Sequence, residues 1–336
     1  MRMEKQRHDR REKILLDNPR GKGRTRRLIW TGLALVLFAC AGCPVLQWEQ
    51  SRLERGLNRS GFVHDRLPLS QGQLDFWMGG AGAPVVLIHG FGASAIWQWE
   101  SLARKLSSDH RVIFPDLLWF GGSFSAEEDF SIDHQVRAVL ELMDFLKIDR
   151  FDLVGLSYGG LVAYELASAH PERVGRVVLS DTPAREYTEA DYSALCRRFD
   201  VDHISQVLLP ETAQDVQRLL ELAYWAPPWT PRFVRRETVH ALYGSCRDQK
   251  RGLLDWMIKS VRSSAVGPHT YRARTLLIWG EEDPVFPLEI GQRLARRLGA
   301  RLEVISRARH APQLEHPSRF YRLVRSFLAR ERSGGR

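Results

Sequence analysis

Phe151-Asp-Leu-Val-Gly-Leu-Ser157-Tyr-Gly-Gly160 decides how this chain is read. A largely apolar run of strand length ends in the pattern Gly155-x-Ser157-x-Gly159. A helical pattern from Leu161 to Ala169, closed by Pro171, follows at once. A serine on so sharp a strand-to-helix turn needs a strained backbone, and the flanking glycines leave room for it. The spacing predicts that Ser157 is the nucleophile, on the turn that ends a buried strand. The plainer alternative, a glycine-rich connection with an incidental serine, leaves the strand and helix around it unexplained.

A serine hydroxyl attacks poorly until a base takes its proton. Of the eleven histidines, His310 stands out, because it follows the last apolar strand pattern and sits in Arg307-Ala-Arg-His-Ala-Pro-Gln-Leu-Glu315. His64, His110, His170 and His316 read as surface loop residues, and His89 as a shaper of the turn after its strand. The imidazole in turn needs an acid. Asp181 and Asp283 both end apolar strand patterns, and both give the chain order serine, acid, histidine, so order does not decide between them. Asp283 is preferred for its loop, Gly280-Glu-Glu-Asp-Pro-Val285, where glycine and proline favour a tight turn. The developing oxyanion needs main-chain donors: the amide of Tyr158, next to the serine, and that of Phe91 in His89-Gly-Phe-Gly92.

Outward from this centre, residues 84–89, 111–114, 176–180, 275–279 and 301–305 repeat the short apolar type, with helical patterns such as 131–146 between them. This alternation predicts an α/β fold, a mostly parallel, doubly wound sheet covered on both faces. Between residues 183 and 270 the pattern is helical instead, with Thr212 as a candidate cap of the stripe Val216, Leu219, Leu220 and Ala223. A helical cap inserted between strands, over the sheet edge that holds ligands, is the expected arrangement. The core is then 61–182 plus 271–332.

These motifs resemble the α/β-hydrolase superfamily over about residues 62–328, through His89-Gly-Phe-Gly92, Gly155-Leu-Ser-Tyr-Gly159, Gly280-Glu-Glu-Asp283 and His310-Ala-Pro-Gln-Leu-Glu315. The resemblance implies a Ser157–Asp283–His310 triad beneath the cap and no cofactor or metal. The layout is similar to membrane-bound monoacylglycerol lipases and related carboxylesterases. Two departures put bulk near the expected pocket. Leu118 and Trp119 replace Pro and Gly in a D-L-P-G-F-G-x-S segment, and Arg309 replaces the Gly before the histidine.

The formal charge of +9 invites a nucleic-acid reading, but residues 1–27 carry +7 of it and the rest of the chain only +2. No nucleic-acid partner is expected. Residues 28–46 contain no charge, and as a helix from Trp30 to Trp48 they would span about 27 Å. The basic tail predicts a cytoplasmic N-terminus, a transmembrane or signal-anchor segment at 28–46, a stalk at 47–60 and an extracytoplasmic enzyme. Ala39-Cys40-Ala41 and Cys40-Ala41-Gly42-Cys43 leave cleavage or lipidation open. Cys196 and Cys246 are either bonded or free.

With an apolar cap beside a bilayer, monoacylglycerol or medium-chain acyl esters come first as substrates, with Trp119, Trp225 and Trp229 as candidate substrate-binding residues. No obligate protein partner is implied. A carbon–carbon bond hydrolase of ring-cleavage diketone acids is the main alternative. It would need a cation inside the cap, where Arg197, Arg198 and Arg235 are candidates. A cofactor-free haloperoxidase and a catalytically silent binding protein complete the alternatives.

Overall fold

A computed structural model describes residues 44–92, 94–262 and 271–329. The expected membrane segment falls almost wholly outside these residues, as does the basic tail. Among the described residues, no helix is long and apolar enough to cross a membrane.

The chain opens with helix α1 (Val45–Arg59) and an antiparallel hairpin, β1 (Val63–Leu69) and β2 (Gly72–Gly79). Then follow β3 (Ala83–Ile88), α2 (Ala95–Leu106), β4 (His110–Pro115), the short β5 (Phe124–Ser125), α3 (Ile132–Phe145), β6 (Phe151–Leu156), α4 (Tyr158–Ala169) and β7 (Val174–Ser180). Five helices come next: α5 (Glu189–Phe199), α6 (Ser205–Leu208), α7 (Ala213–Ala223), α8 (Arg232–Tyr243) and α9 (Arg247–Arg262). The chain returns to the sheet through β8 (Arg274–Gly280), α10 (Leu288–Leu298), β9 (Arg301–Ile305), α11 (Pro312–Glu315) and α12 (Pro317–Ala329). The strands lie in the order β1-β2-β4-β3-β6-β7-β8-β9, with β5 beside β2. From β4 through β9 every pair along this order is parallel.

The alternation of strand side chains sorts the core into two layers. Val86 and Ile88 of β3 face the layer that takes residues of α3, α4 and α10, while Val85 and Leu87 face that of α1, α2 and α12. Helix α4, behind the serine, is buried from Tyr158 to Ser168. That fits an almost entirely apolar sequence (YGGLVAYELASA) with no polar face for water. Ser131 caps α3 by accepting from His134 N, and Thr212 caps α7 in a reciprocal box with Asp215.

The segment expected as a stalk is instead most of α1, packed on the body. Leu53 and Leu57 are buried one turn apart, Gly56 lies against Glu100, and Ser60 accepts from Arg104 of α2. Two leucines at i and i+4 form an apolar stripe narrow enough to be hidden among charges in sequence. The amide of Leu46 donates to Glu237 of α8 at 2.8 Å. Cys196 and Cys246 are free thiols, both partly buried.

Candidate active site

Strand β6 carries Ser157 to the carboxyl edge of the sheet, where the chain reverses into α4. Ser157 adopts φ 54° and ψ −120°, a left-handed conformation that a non-glycine residue holds only when its surroundings enforce it. Its amide donates to Ser180 O at 2.9 Å, and its carbonyl accepts from Leu161 N and from Thr182 Oγ1. The two flanking glycines are steric requirements. A Cβ on Gly159 would lie 2.3 Å from His89 O, and one on Gly155 would lie 2.5 Å from Gly159 O. Any side chain there would push the turn away from the loop after β3.

The loop after β9 brings His310 over the serine, with Nε2 2.9 Å from Ser157 Oγ. On its other side, His310 Nδ1 lies 2.9 Å from Asp283 Oδ2. An ionised carboxylate only accepts, so Nδ1 carries the proton and Nε2 is left to accept from the serine hydroxyl. Asp283 is held by its own loop: Oδ1 accepts from Val285 N at 2.8 Å and from Phe286 N at 3.2 Å. The ring of Phe286 covers His310, centroid to centroid 5.5 Å. Ser157, His310 and Asp283 are therefore brought together as a relay that can generate an alkoxide nucleophile.

Asp181, the rival acid, does not bond His310. It is fully buried, with Oδ1 accepting from Gly280 N at 2.8 Å and Oδ2 from Ser180 Oγ at 2.7 Å. Burial, and then the neighbouring Asp283 carboxylate, hold its pKa well above the ordinary carboxylate range. Gly280 opens the loop on which Asp283 rides. The second aspartate thus anchors the base of the loop that presents the first.

The amides of Phe91 and Tyr158 take no protein acceptor among the described residues, and Tyr158 N heads α4, where the helix dipole favours negative charge. The Phe91 loop is clasped by Gln98, which accepts from Gly90 N at 2.8 Å and donates to Gly90 O at 3.2 Å. Beneath it His89 shapes the turn as expected. Its Nδ1 donates to Gly90 O at 2.8 Å and its Nε2 accepts from Leu117 N at 2.9 Å. Burial pushes the His89 pKa down to about 4, so the ring is neutral.

The three candidate substrate-binding tryptophans lie in two kinds of surroundings. Trp119 is buried at φ 69°; its Nε1 donates to Ser125 O, and its ring packs on Phe130 and His134. The strained backbone kept at a position that is usually glycine turns the indole toward α3, not toward Ser157. Trp225 and Trp229 are 46% and 79% exposed, because the prolines around them carry this stretch outward. The Trp225 main chain meets the loop that follows His310, its amide donating to Glu315 Oε1.

The cap arginines also serve the framework. Arg198 donates to Pro284 O beside the triad acid, and Arg235 to Gln217 Oε1. Arg309 bonds Glu221 O at the end of α7. Sequence reasoning missed Gln98, Phe286 and Lys250 of α9, whose ammonium is buried 5.3 Å above the Phe120 ring. They lie on separate elements, and no spacing joins them to the serine.

Comparison with known proteins follows the same lines. The profile described as alpha/beta hydrolase fold matches residues 83–317. A 2-hydroxymuconate semialdehyde hydrolase of Pseudomonas sp. (strain CF600) is 33% identical over an alignment of length 265 that covers 74% of this chain and 88% of that protein. Among solved structures, a meta-cleavage product hydrolase from Pseudomonas fluorescens IP01 superposes with a TM-score of 0.66 at 27% identity, covering 79% of this chain and 97% of that one. A bacterial membrane phospholipase A, 23% identical, shares the fold with a TM-score of 0.71 over 92% of this chain and 100% of that one. With the family profile matched over most of its length and a hydrolase 33% identical over most of both chains, the chain belongs to the α/β-hydrolase fold family and is a hydrolase.

Proposed function

We propose that this hydrolase cleaves the carbon–carbon bond next to the 6-oxo group of 2-hydroxy-6-oxo-2,4-dienoates, with Ser157, His310 and Asp283 as the catalytic residues. The observation that carries this substrate class is the 33% identity to a 2-hydroxymuconate semialdehyde hydrolase, sustained over most of both chains. Ser157 Oγ attacks the C6 carbonyl, its proton passes to His310 Nε2, and Asp283 stabilises the imidazolium. The amides of Phe91 and Tyr158 receive the oxyanion. With the 2-hydroxyl in its keto form and C5 protonated, collapse of the adduct breaks the C5–C6 bond. The electron pair delocalises through the C3–C4 double bond onto the 2-oxo group, which takes the proton from His310. Water, activated by the same imidazole, then hydrolyses the Ser157 ester and releases the carboxylic acid.

The test is a comparison of kcat/KM for 2-hydroxymuconate semialdehyde and for p-nitrophenyl butyrate. The dienoate is expected to be favoured by at least about 100-fold, a difference of the size that well-placed polar recognition supplies. A preference for the ester would overturn the assignment.

Carboxylic ester hydrolysis is the second reading, since the same tetrahedral chemistry serves monoacylglycerol or medium-chain esters. It is favoured by the exposed Trp225 and Trp229 on the cap, together with the uncharged run 28–46. In that reading the run anchors the enzyme with its N-terminus cytoplasmic, and lipid esters reach the cap from the bilayer. Turnover of acyl esters that rises when vesicles are added, with the full chain sedimenting with membranes, would support it. Turnover indifferent to vesicles and to chain length would count against it.

A further inference from the structure

Lys250 is a buried cation of the cap that the catalytic scheme leaves unused. It is 1% exposed, and among the described residues its ammonium makes one hydrogen bond, donating to Ser245 O at 2.9 Å. Among the described residues no carboxylate pairs with it; the groups that act on its charge are the Cys246 thiol, which favours it, and Arg247, which opposes it. Burial pushes its pKa below the ordinary lysine value. A buried cation without a counter-ion is costly unless something in the working state supplies the missing charge.

The position of this cation says where the missing anion belongs. The ammonium lies 5.3 Å above the ring of Phe120. That ring meets His89 and Phe91 edge to face, each at 5.2 Å, and Phe91 meets Tyr158 at 5.9 Å. Phe91 and Tyr158 carry the two amides that face the oxyanion, and the charge on Lys250 is felt at His89. The ammonium therefore stands on the cap side of the oxyanion loop, separated from it by one aromatic ring. Helix α9 is fixed there by Leu253 and Leu254, both buried in the layer that contains Phe120 and Tyr158. A substrate whose carbonyl sits at Ser157 and whose chain runs toward the cap would bring its far end to Lys250.

We propose that Lys250 is the specificity-determining residue that binds the substrate's carboxylate, pairing with the C1 end while the C6 carbonyl lies at Ser157. The proposal rests on the dienoate reading above and deepens it. A carboxylate replaces the absent counter-ion with a charge-assisted hydrogen bond, and an uncharged acyl ester does not.

Two readouts test it on the full chain, with Lys250→Met and Lys250→Gln removing the charge and Lys250→Arg retaining it. Thermal unfolding shows which variants fold, and either neutral variant suffices. The first readout is the ratio of kcat/KM for 2-hydroxymuconate semialdehyde to that for p-nitrophenyl butyrate. It is expected to fall about 30-fold in the neutral variants, mainly through KM, and to be largely kept in Lys250→Arg. The second does not depend on carbon–carbon cleavage. It is the protection of Ser157 from a fluorophosphonate by 2-oxopentanoate, compared with uncharged pentan-2-one. Neutral variants are expected to need about 30-fold more 2-oxopentanoate for equal protection, with pentan-2-one showing no such dependence. Protection by 2-oxopentanoate that is equal in wild type and neutral variants, or no better than that by pentan-2-one, would overturn the role of Lys250. Lys250-dependent protection in an enzyme that does not turn over the dienoate would retain the anion site and overturn the proposed reaction instead.

Discussion

The sheet edge and the cap meet over Ser157, but they are held in place by different means. At the sheet edge the main chain does most of the positioning. Ser157 and Asp181 sit at φ 54° and 44° at the ends of adjacent strands, and the strands beneath them are closed to solvent. Three of the cap helices are amphipathic and shallowly set: α5 buries Tyr192 and Leu195, α7 Val216 and Leu222, α8 Val234 and Tyr243. What the cap adds to the site is side chains such as Lys250 and Arg198. The difference teaches that the reaction type resides in backbone geometry that tolerates little change, whereas substrate choice resides in side chains on a looser frame. Substitutions on the two sides should differ accordingly.

The largest effect is expected from Ser157→Ala, which should lower kcat by about 10⁴-fold or more and abolish fluorophosphonate labelling while leaving the fold intact. Next is the pair of acids. Asp283→Asn is expected to cost about 10³- to 10⁴-fold in kcat because it loses the carboxylate that holds the imidazole tautomer, and Asp181→Asn less than about tenfold. The reverse ranking in steady-state kinetics would move the triad acid to the end of β7.

A smaller effect concerns stability and the neutral ring of His89. Its pKa is lowered from 6.5 to about 4 in the folded chain, so between those values the unfolded chain binds a proton that the folded chain does not. Stability contributed by the neutral ring is therefore present above pH 6.5 and is lost as pH falls toward 4, by up to about 3 kcal/mol. Urea unfolding across that window should show the decline, and His89→Asn should flatten it. The smallest effect belongs to the cap. Thr212→Ala removes the N-cap of α7 and should cost about 1 kcal/mol, seen as faster amide exchange in that helix. Loss of cooperative unfolding throughout the sheet in this variant would show that the cap is as rigid as the core, and the contrast drawn above would fail.

The same contrast explains what was legible in the sequence. The central strands and the elbow announce themselves, because burial on both faces demands unbroken apolar runs and the turn demands glycine on both sides of Ser157. The β1–β2 hairpin did not stand out, since most of β1 (VHDRLPL) faces solvent and its pattern is polar. Asp181 and Asp283 were indistinguishable by order and separated only by loop chemistry, and in space Asp283 alone meets the histidine. The direction of Trp225 and Trp229 was not legible, because an aromatic beside prolines reads equally well as a pocket wall or a solvent-facing corner. Residue type does not encode that direction. Lys250 carried no signal at all, being an ordinary lysine in a charged stretch until the fold buries it.

One further consequence lies in the contacts around His310. The amide of Ala311 donates to Ala223 O, that of Trp225 to Glu315, and the Arg309 guanidinium reaches Glu221 O. The loop that carries the general base is thus stitched to the last turn of α7 by bonds on either side of the histidine. A trimmed hydrolase lacking the cap would lose more than a cover. It would leave the imidazole on a loop cut from its moorings, so grafting a foreign cap onto this core must reproduce the hem as well as the lining.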